Sequence, residues 1–266
     1  MLLSRSLDNA NNAIENEIKK LGYGDYTVTE YDIKVVVCDL NDLDSIKKCA
    51  DEILQEERID FLINNAGIMA PPKKLTTKYG WEMQMATNHY GHWYLTSLLM
   101  PKMKSQNFES RIINVSSLLH EKCAFDIDDL HYEKRTYNAW MQYGNTKLAN
   151  NLFTQSLVDK CAGSNVLCYS LHPGVIKSGL IRHNADENTC IGSLFLLIGG
   201  FFVFDKNIPQ GASTTLYSCV CNAPNGSYFT DCNIKQSSVL SNDKALRDKL
   251  WEITERDIAT ARFNQK

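Results

Sequence analysis

Short β-branched runs alternate with amphipathic helical patterns along almost the whole chain, and that alternation narrows its possible folds more than any other feature. Ile33–Cys38, Ile59–Ile63, Arg111–Val115 and Val166–Leu171 are runs of five or six mainly apolar residues, as expected of strands buried in a parallel sheet. Between them Leu43, Ile46, Ala50 and Ile53 fall at helical spacing. Helices are also expected over 80–99, stopped by Pro101, and over 212–221. Leu148, Leu152 and Leu157 stripe another helix, and Leu246, Leu250 and Ile253 the last. The opening Met1-Leu-Leu3 reads as the tail of a strand. Asp8 can then cap a helix carrying Ala10, Ile14, Ile18 and Leu21, closed by Gly22. Tyr228 and Phe229 begin a final short strand. The pattern implies an α/β domain over residues 1–266, a doubly wound parallel sheet with helices on both faces.

In such sheets ligands bind beyond the carboxyl ends of the strands. Asp39, Asn64, Ser117 and Pro173 all fall there. Asn64-Asn-Ala-Gly67 joins amide side chains to two small residues, Ala66 and Gly67, which lets a ligand approach the backbone closely; alone it could equally be a plain strand-to-turn signal. Asp39 could accept from an adenine amine or merely cap the following helix. Ser117 could donate to a substrate oxygen or simply start a turn. Asn88 lies inside an expected helix, where its amide competes with the backbone, so a polar role there is worth testing. Tyr143 and Lys147 are four residues apart at the head of the Leu148 helix, hence neighbours on one face. A nearby ammonium favours phenolate over phenol, which would let Tyr143 give and take a proton. The bare pair also occurs by chance on solvated faces.

Composition removes several function classes. Net charge is −3, which gives no footprint for nucleic acid. Nine cysteines without metal-ligand spacing read as buried or free thiols of a reducing compartment, with no metal site. His89, His92, His120 and His172 likewise form no ligand pattern. The longest apolar run, Ile191–Phe204, has 14 residues and contains Gly199 and Gly200, short of a membrane span. The start does not resemble a signal peptide. A cytoplasmic location is expected, with peripheral contact to an intracellular membrane and homo-oligomerisation left open.

Taken together, Asn64-Asn-Ala-Gly67, Asn88 in Asn-His-Tyr-Gly, Ser117 in Asn-Val-Ser-Ser, Tyr143 with Lys147, and Pro173-Gly174 resemble the short-chain dehydrogenase/reductase family. The 26-residue interval from Ser117 to Tyr143, Gln210–Tyr217, Tyr228–Cys232 and Lys249–Ile253 are similar to its retinol dehydrogenase and WW-domain oxidoreductase branch. The resemblance implies a Rossmann-like fold and hydride exchange between NADP(H), in preference to NAD(H), and a small lipophilic alcohol or carbonyl such as a retinal-like aldehyde. It further implies Tyr143 as proton donor, Ser117 as a hydrogen-bond partner of the reacting oxygen, and Lys147 as the group that lowers the Tyr143 pKa and holds the nicotinamide ribose. Asn88 would position a water, and Asn64, Ala66, Gly67, Pro173, Gly174 and Ser178 would border the cofactor, with Asp39 at the adenine. Arg5 matches the position that takes the 2′-phosphate of NADP, for which a guanidinium fork is suited.

One departure from the family is large. Its opening strand and Thr-Gly-x-x-x-Gly-x-Gly turn have no counterpart here, so a first βα unit of roughly 30 residues is missing from the pattern. A catalytically silent relative acting as an interaction protein is therefore a second reading. A sugar-nucleotide epimerase ranks last, because 266 residues leave no room for its larger substrate domain.

Overall fold

The computed structural model describes residues 1–15, 33–176 and 206–264. Strands β1 (Leu2–Ser4) and β2 (Val35–Val37) pair in parallel, with Leu2 opposite Val35. Strands β3 (Phe61–Asn64), β4 (Ser110–Val115), β5 (Val166–His172) and β6 (Tyr228–Thr230) lie side by side in that order, all parallel. A seventh strand, β7 (Asn233–Lys235), adds antiparallel to β6. The helices are α1 (Leu7–Ala13), α2 (Leu43–Ile53), α3 (Gly91–Ser105), α4 (Ala139–Lys160), α5 (Ile208–Val220) and α6 (Lys244–Phe263).

Alternation along β4 sorts its side chains onto two faces. Ile112 joins a core with Leu62, the buried faces of α2, α3 and α4, and Leu250 and Ile258 of α6. Ile113 and Val115 instead join Tyr169, Leu171 and Phe229 under α5. Helices thus cover both faces of a parallel sheet. The expected single sheet is corrected in one respect: among the described residues it is in two pieces, because no described strand pairs the second edge of β1 or of β3. Val36 and Cys38, at and just beyond β2, nonetheless share the core of the larger piece.

Local corrections have local causes. Ser6, not Asp8, caps α1, its hydroxyl accepting from Asn9 N at 3.4 Å, while Asp8 sits in the first turn. Gly80 belongs to a turn at φ 81°, and the helical segment starts after Glu82, whose carboxylate accepts from Gln84 N and Met85 N. Pro101 does not end its helix. α3 continues to Ser105 because Met103 is fully buried and Lys102 Nζ donates to the Leu54 carbonyl at 3.0 Å, which offsets the one backbone bond proline removes. β7 was unexpected because its hairpin turn holds Asp231 and Cys232 at φ 51° and 56°, positions that Asn-Gly usually announces. Ile18, Leu21, Gly22, Ser178 and the run Ile191–Phe204 lie outside the described residues.

Gly91 opens α3 where the chain from β2 crosses it. A Cβ there would stand 2.4 Å from the Leu40 carbonyl oxygen and 2.8 Å from Leu40 Cβ. Gly91→Ala is expected to destabilise the protein by about 1–3 kcal/mol, the usual cost of overpacking, and urea unfolding would read it as a lower midpoint at unchanged slope. An unchanged midpoint would show that the contact between Leu40 and α3 yields freely.

Candidate active site

Tyr143 and Lys147 stand in the first turns of α4, whose start is fixed by Asn138 Oδ1 accepting from Met141 N at 3.0 Å. From Gln142 to Phe153 every residue of α4 is buried, polar ones included. Buried polar groups need partners, and those partners fasten α4 to the end of β4. Ser116 Oγ donates to the Lys147 carbonyl at 2.8 Å, and Lys147 Nζ donates back to the Val115 carbonyl at 3.0 Å. Asn150 Nδ2 donates to the same Val115 carbonyl at 3.2 Å. The next residue after Ser116 is Ser117, 9% exposed, whose hydroxyl accepts from Leu119 N at 3.3 Å and lies near enough to the Tyr143 phenol to pull its pKa down. Gly144 permits this approach, since a Cβ there would lie 2.7 Å from the Leu119 carbonyl oxygen. Ser117, Tyr143 and Lys147, singled out separately in the sequence, are therefore brought together.

Their electrostatics differ from the expectation. Lys147 does not lower the Tyr143 pKa here. Burial pushes the Tyr143 phenol up to about 12, against a smaller downward pull from its Ser117 hydrogen bond. Burial likewise pushes the Lys147 ammonium down to about 8. Lys147 Nζ lies 5.4 Å from the tyrosine ring centroid and is turned to the Val115 carbonyl, so desolvation of a phenolate only 5% exposed outweighs the lysine charge. At neutral pH Tyr143 carries its proton.

The remaining strand ends converge on this pair to different degrees. Asn88 sits in a wide π turn over Ala86–Tyr90, fully buried. Its side chain is spent on structure: Oδ1 accepts from Ile68 N at 2.9 Å, and Nδ2 donates to the Ile68 carbonyl and Thr146 Oγ1, both at 3.0 Å. Its carbonyl faces His92 Nδ1 at 3.1 Å. Gly67 packs directly on this group, for a Cβ there would stand 3.0 Å from Asn88 Oδ1 and 3.8 Å from Lys147 Nζ. Asn64 Nδ2 donates to Thr96 Oγ1 at 3.0 Å and Asn114 Oδ1 at 2.8 Å, bracing β3 against β4 and α3, while Asn64 Oδ1 is buried without a protein partner. Ala66 is exposed beside it. Gly174, at φ 93°, and Pro173 follow β5; the positive φ accounts for glycine there. Arg5 and Asp39 follow the paired strands β1 and β2 at neighbouring strand ends. Arg5 is exposed, and Asp39 Oδ1 accepts from Asn41 N at 2.9 Å.

Several residues at the site carried no sequence signal. Glu82 is fully buried and gathers Gln142 Nε2 at 2.7 Å and the Tyr137 hydroxyl at 3.3 Å, besides its two backbone donors. Gln84 joins Ala70 N to the Ala139 carbonyl, at 2.8 and 3.0 Å. It holds Ala70 at φ 46°, a rare conformation for a residue with a Cβ. Met69 and Ala70 consequently close with Leu119 around Tyr143, with Ala139 and Trp140 packed outside, an apolar wall beside the phenol. His120 Nε2 accepts from Ser238 N at 3.1 Å, so its Nδ1–H donates to the Ser117 carbonyl at 2.7 Å. Among the described residues no group of three or more His, Cys, Asp or Glu could hold a metal ion.

The arrangement can be set beside known proteins. A family model described as short chain dehydrogenase matches residues 5–189. Retinol dehydrogenase 14 of Homo sapiens is 39% identical over 221 residues, covering 82% of this chain and 64% of that protein. Retinol dehydrogenase 11 of Homo sapiens is 38% identical over 220 residues, covering 81% of this chain and 66% of its own length. The chain thus spans a little under two thirds of those relatives. A crystal structure of an uncharacterized protein from Mycobacterium Paratuberculosis superposes with a TM-score of 0.70 at 28% identity, covering 96% of this chain and 82% of that one.

Proposed function

Because this chain belongs to the short-chain dehydrogenase family, we propose that it is an NADP(H)-dependent oxidoreductase that interconverts a lipophilic carbonyl compound and its alcohol. The observation that carries the reading is the buried contact of Tyr143 with Ser117 and Lys147 against the apolar wall of Met69, Ala70 and Leu119. A nicotinamide cofactor, when bound, supplies or accepts the hydride. Tyr143, proton-loaded at neutral pH, gives its proton to the oxygen of a carbonyl being reduced, and Ser117 hydrogen-bonds the same oxygen where negative charge develops.

The fit to a dinucleotide is good at one end and poor at the other. Gly67, Lys147, Pro173 and Gly174 would hold the nicotinamide ribose; a Cβ on Gly67 would press on Asn88 Oδ1 at 3.0 Å and stand 3.8 Å from Lys147 Nζ, and the Lys206 side chain lies against Gly174. Arg5 fits a 2′-phosphate, being exposed at the end of β1. For the pyrophosphate, the glycines before Gly67 are Gly22 and Gly24, both outside the described residues, and no described glycine-rich turn offers backbone N–H groups. The alternative reading is a silent relative acting through protein contacts.

One experiment weighs both. The 266-residue chain, and the same chain extended at its N-terminus by the strand and glycine-rich turn of a retinol dehydrogenase, are titrated with NADPH and assayed on a medium-chain and a three-carbon aldehyde. Two absent charge-assisted hydrogen bonds weaken binding by about two decades or more, so the shorter chain is expected to bind weakly and the extended one tightly. The extended chain should prefer the longer aldehyde by at least ~10-fold in kcat/KM. Equal kcat/KM would remove the lipophilic substrate, and absence of NADPH binding in both forms would favour the silent relative.

A further inference from the structure

Ser117 opens a tight helical turn, Leu118–Lys122, and its carbonyl collects two donors from one residue of that turn. His120 N reaches it at 3.1 Å, and the His120 ring reaches it through Nδ1 at 2.7 Å. The other ring nitrogen, Nε2, stands 3.1 Å from Ser238 N, a backbone donor, and so must accept. A neutral ring with Nε2 accepting carries its proton on Nδ1 and gives it to Ser117. Burial keeps the ring neutral. It is 1% exposed, and desolvation pushes its pKa down against smaller upward pulls from the Ser117 carbonyl and Glu121. The Tyr228 ring packs edge-on against it, 5.2 Å between centroids.

The far side of the ring leads back to the helix that carries Tyr143. Ser238 Oγ lies 2.9 Å from Ser241 Oγ, to which Asn151 Nδ2 of α4 donates at 3.3 Å. Asn151 and Ser241 are both buried, and Asn151 follows Tyr143 on α4 by about two turns. A closed circuit therefore runs from Tyr143 along α4 to Asn151, across Ser241 and Ser238 to His120, and back through Ser117. The bonds of Lys147 and Ser116 fix where β4 delivers Ser117. They do not fix how the peptide after Ser117 is turned, and that is set at its carbonyl, where His120 supplies two donors. The same turn brings Leu119 N to the Ser117 hydroxyl and Leu119 into the wall around Tyr143.

We propose that His120 is a positioning residue for Ser117: its Nδ1–H holds the Ser117 carbonyl so that the hydroxyl is kept beside the Tyr143 phenol, while its Nε2 ties that turn to the segment at Ser238. Its effect on turnover rests on the catalytic reading above, whereas the placement of Ser117 against Tyr143 is a property of the chain itself. His120 acts through Ser117, so its loss lowers kcat and leaves NADPH affinity nearly unchanged. The two ends of the ring can be separated, because an asparagine amide stands in for Nδ1 and a glutamine amide for Nε2.

The test compares His120→Asn, which keeps a donor for Ser117, with His120→Gln, which keeps an acceptor for Ser238, and His120→Leu, which keeps neither. Circular dichroism and a melting curve establish that each variant folds, and the asparagine–glutamine contrast carries the test if the leucine variant does not. The first readout is NMR of the 266-residue chain labelled at tyrosine Cζ and at the imidazole nitrogens, with Tyr143 assigned by its loss in Tyr143→Phe. At neutral pH His120 is expected to be protonated on Nδ1. The Tyr143 signal is expected to move in His120→Gln and His120→Leu and to stay in place in His120→Asn. The second readout is kcat for NADPH-dependent reduction of a medium-chain aldehyde by the N-terminally extended chain. It is expected to fall at least ~10-fold in His120→Gln and His120→Leu and to stay within ~3-fold of the parent in His120→Asn, because only the first two release a group that faces the developing charge. A ring protonated on Nε2, a Tyr143 signal indifferent to His120→Gln, or equal falls in kcat for the asparagine and glutamine variants would each overturn the proposal. A parent that reduces no aldehyde would count against the catalytic reading, and the Tyr143 signal would then decide by itself whether His120 places Ser117.

Discussion

Lowering the pH from 7 to 5 is expected to strip several kcal/mol of stability from this protein before its carboxylates titrate. His89 and His92 are 1% and 4% exposed on the π turn and the start of α3. Burial pushes the His89 imidazole down to about 3 and His92 to about 4. His89 Nε2 lies 3.2 Å from Thr254 Oγ1 and His92 Nδ1 3.1 Å from the Asn88 carbonyl, and no acidic residue shares either hydrogen bond. The folded state therefore holds both rings neutral, while the unfolded chain protonates them near pH 6.5. Between pH 6.5 and about 4 the unfolded state binds more protons, so stability falls as pH falls. Their contribution is complete above pH 6.5 and exhausted below the folded values. At pH 5 each has lost about 1.5 pH units of differential protonation, or ~2 kcal/mol. Glu82 works in the opposite sense, because burial raises its pKa and its protonation is easier in the folded state. The histidine shifts are the larger and should dominate.

Set against a typical total of about 5–15 kcal/mol, a loss of ~4 kcal/mol from the two rings should be plain in urea unfolding between pH 7.5 and 5. His92→Gln and His89→Gln should each flatten the profile, whatever they cost at pH 7.5. A profile level from pH 6.5 to 5 would mean that the rings accept protons without opening the structure.

The parts of the fold legible in the sequence are those whose residues follow a simple period. α2 shows Leu43, Ile46, Ala50 and Ile53 all buried, and β4 with β5 forms the centre of the parallel sheet. The Tyr143 and Lys147 pairing was readable because a fixed helical spacing brings them to one face. α4 hid its depth, since its buried surface includes Asn145, Thr146, Asn150, Asn151 and Thr154. Such residues read as solvated until their partners on β4 and beyond are known. Glu82 was invisible for the same reason: its partners Tyr137 and Gln142 are 55 and 60 residues away. The left-handed pairs Asp231–Cys232 and the bend at Ala70 are set by tertiary contacts that no local motif announces. The sign of the Tyr143 shift was missed because spacing shows which charge is near, whereas desolvation depends on everything packed around the phenol.

The central claim is that Tyr143 is the proton donor of a hydride-transfer site. Ser117 lies beside the phenol, Lys147 is one turn along α4, and the Val115 carbonyl joins helix to strand. Tyr143→Phe removes a single oxygen from a ring already packed among Met69, Ala70 and Leu119, so the fold and the apolar wall should survive. Lys147 keeps its bond to Val115, and cofactor affinity should change little. What is lost is the proton and one hydrogen-bond donor at the reacting oxygen, an effect on the transition state rather than on substrate binding. The direct measurement is kcat for NADPH-dependent reduction of a medium-chain aldehyde by the N-terminally extended chain, with and without Tyr143→Phe, alongside an NADPH titration of each. The account predicts a fall in kcat of at least ~10²-fold at nearly unchanged KM and NADPH affinity; turnover by the phenylalanine variant close to that of its parent would contradict it.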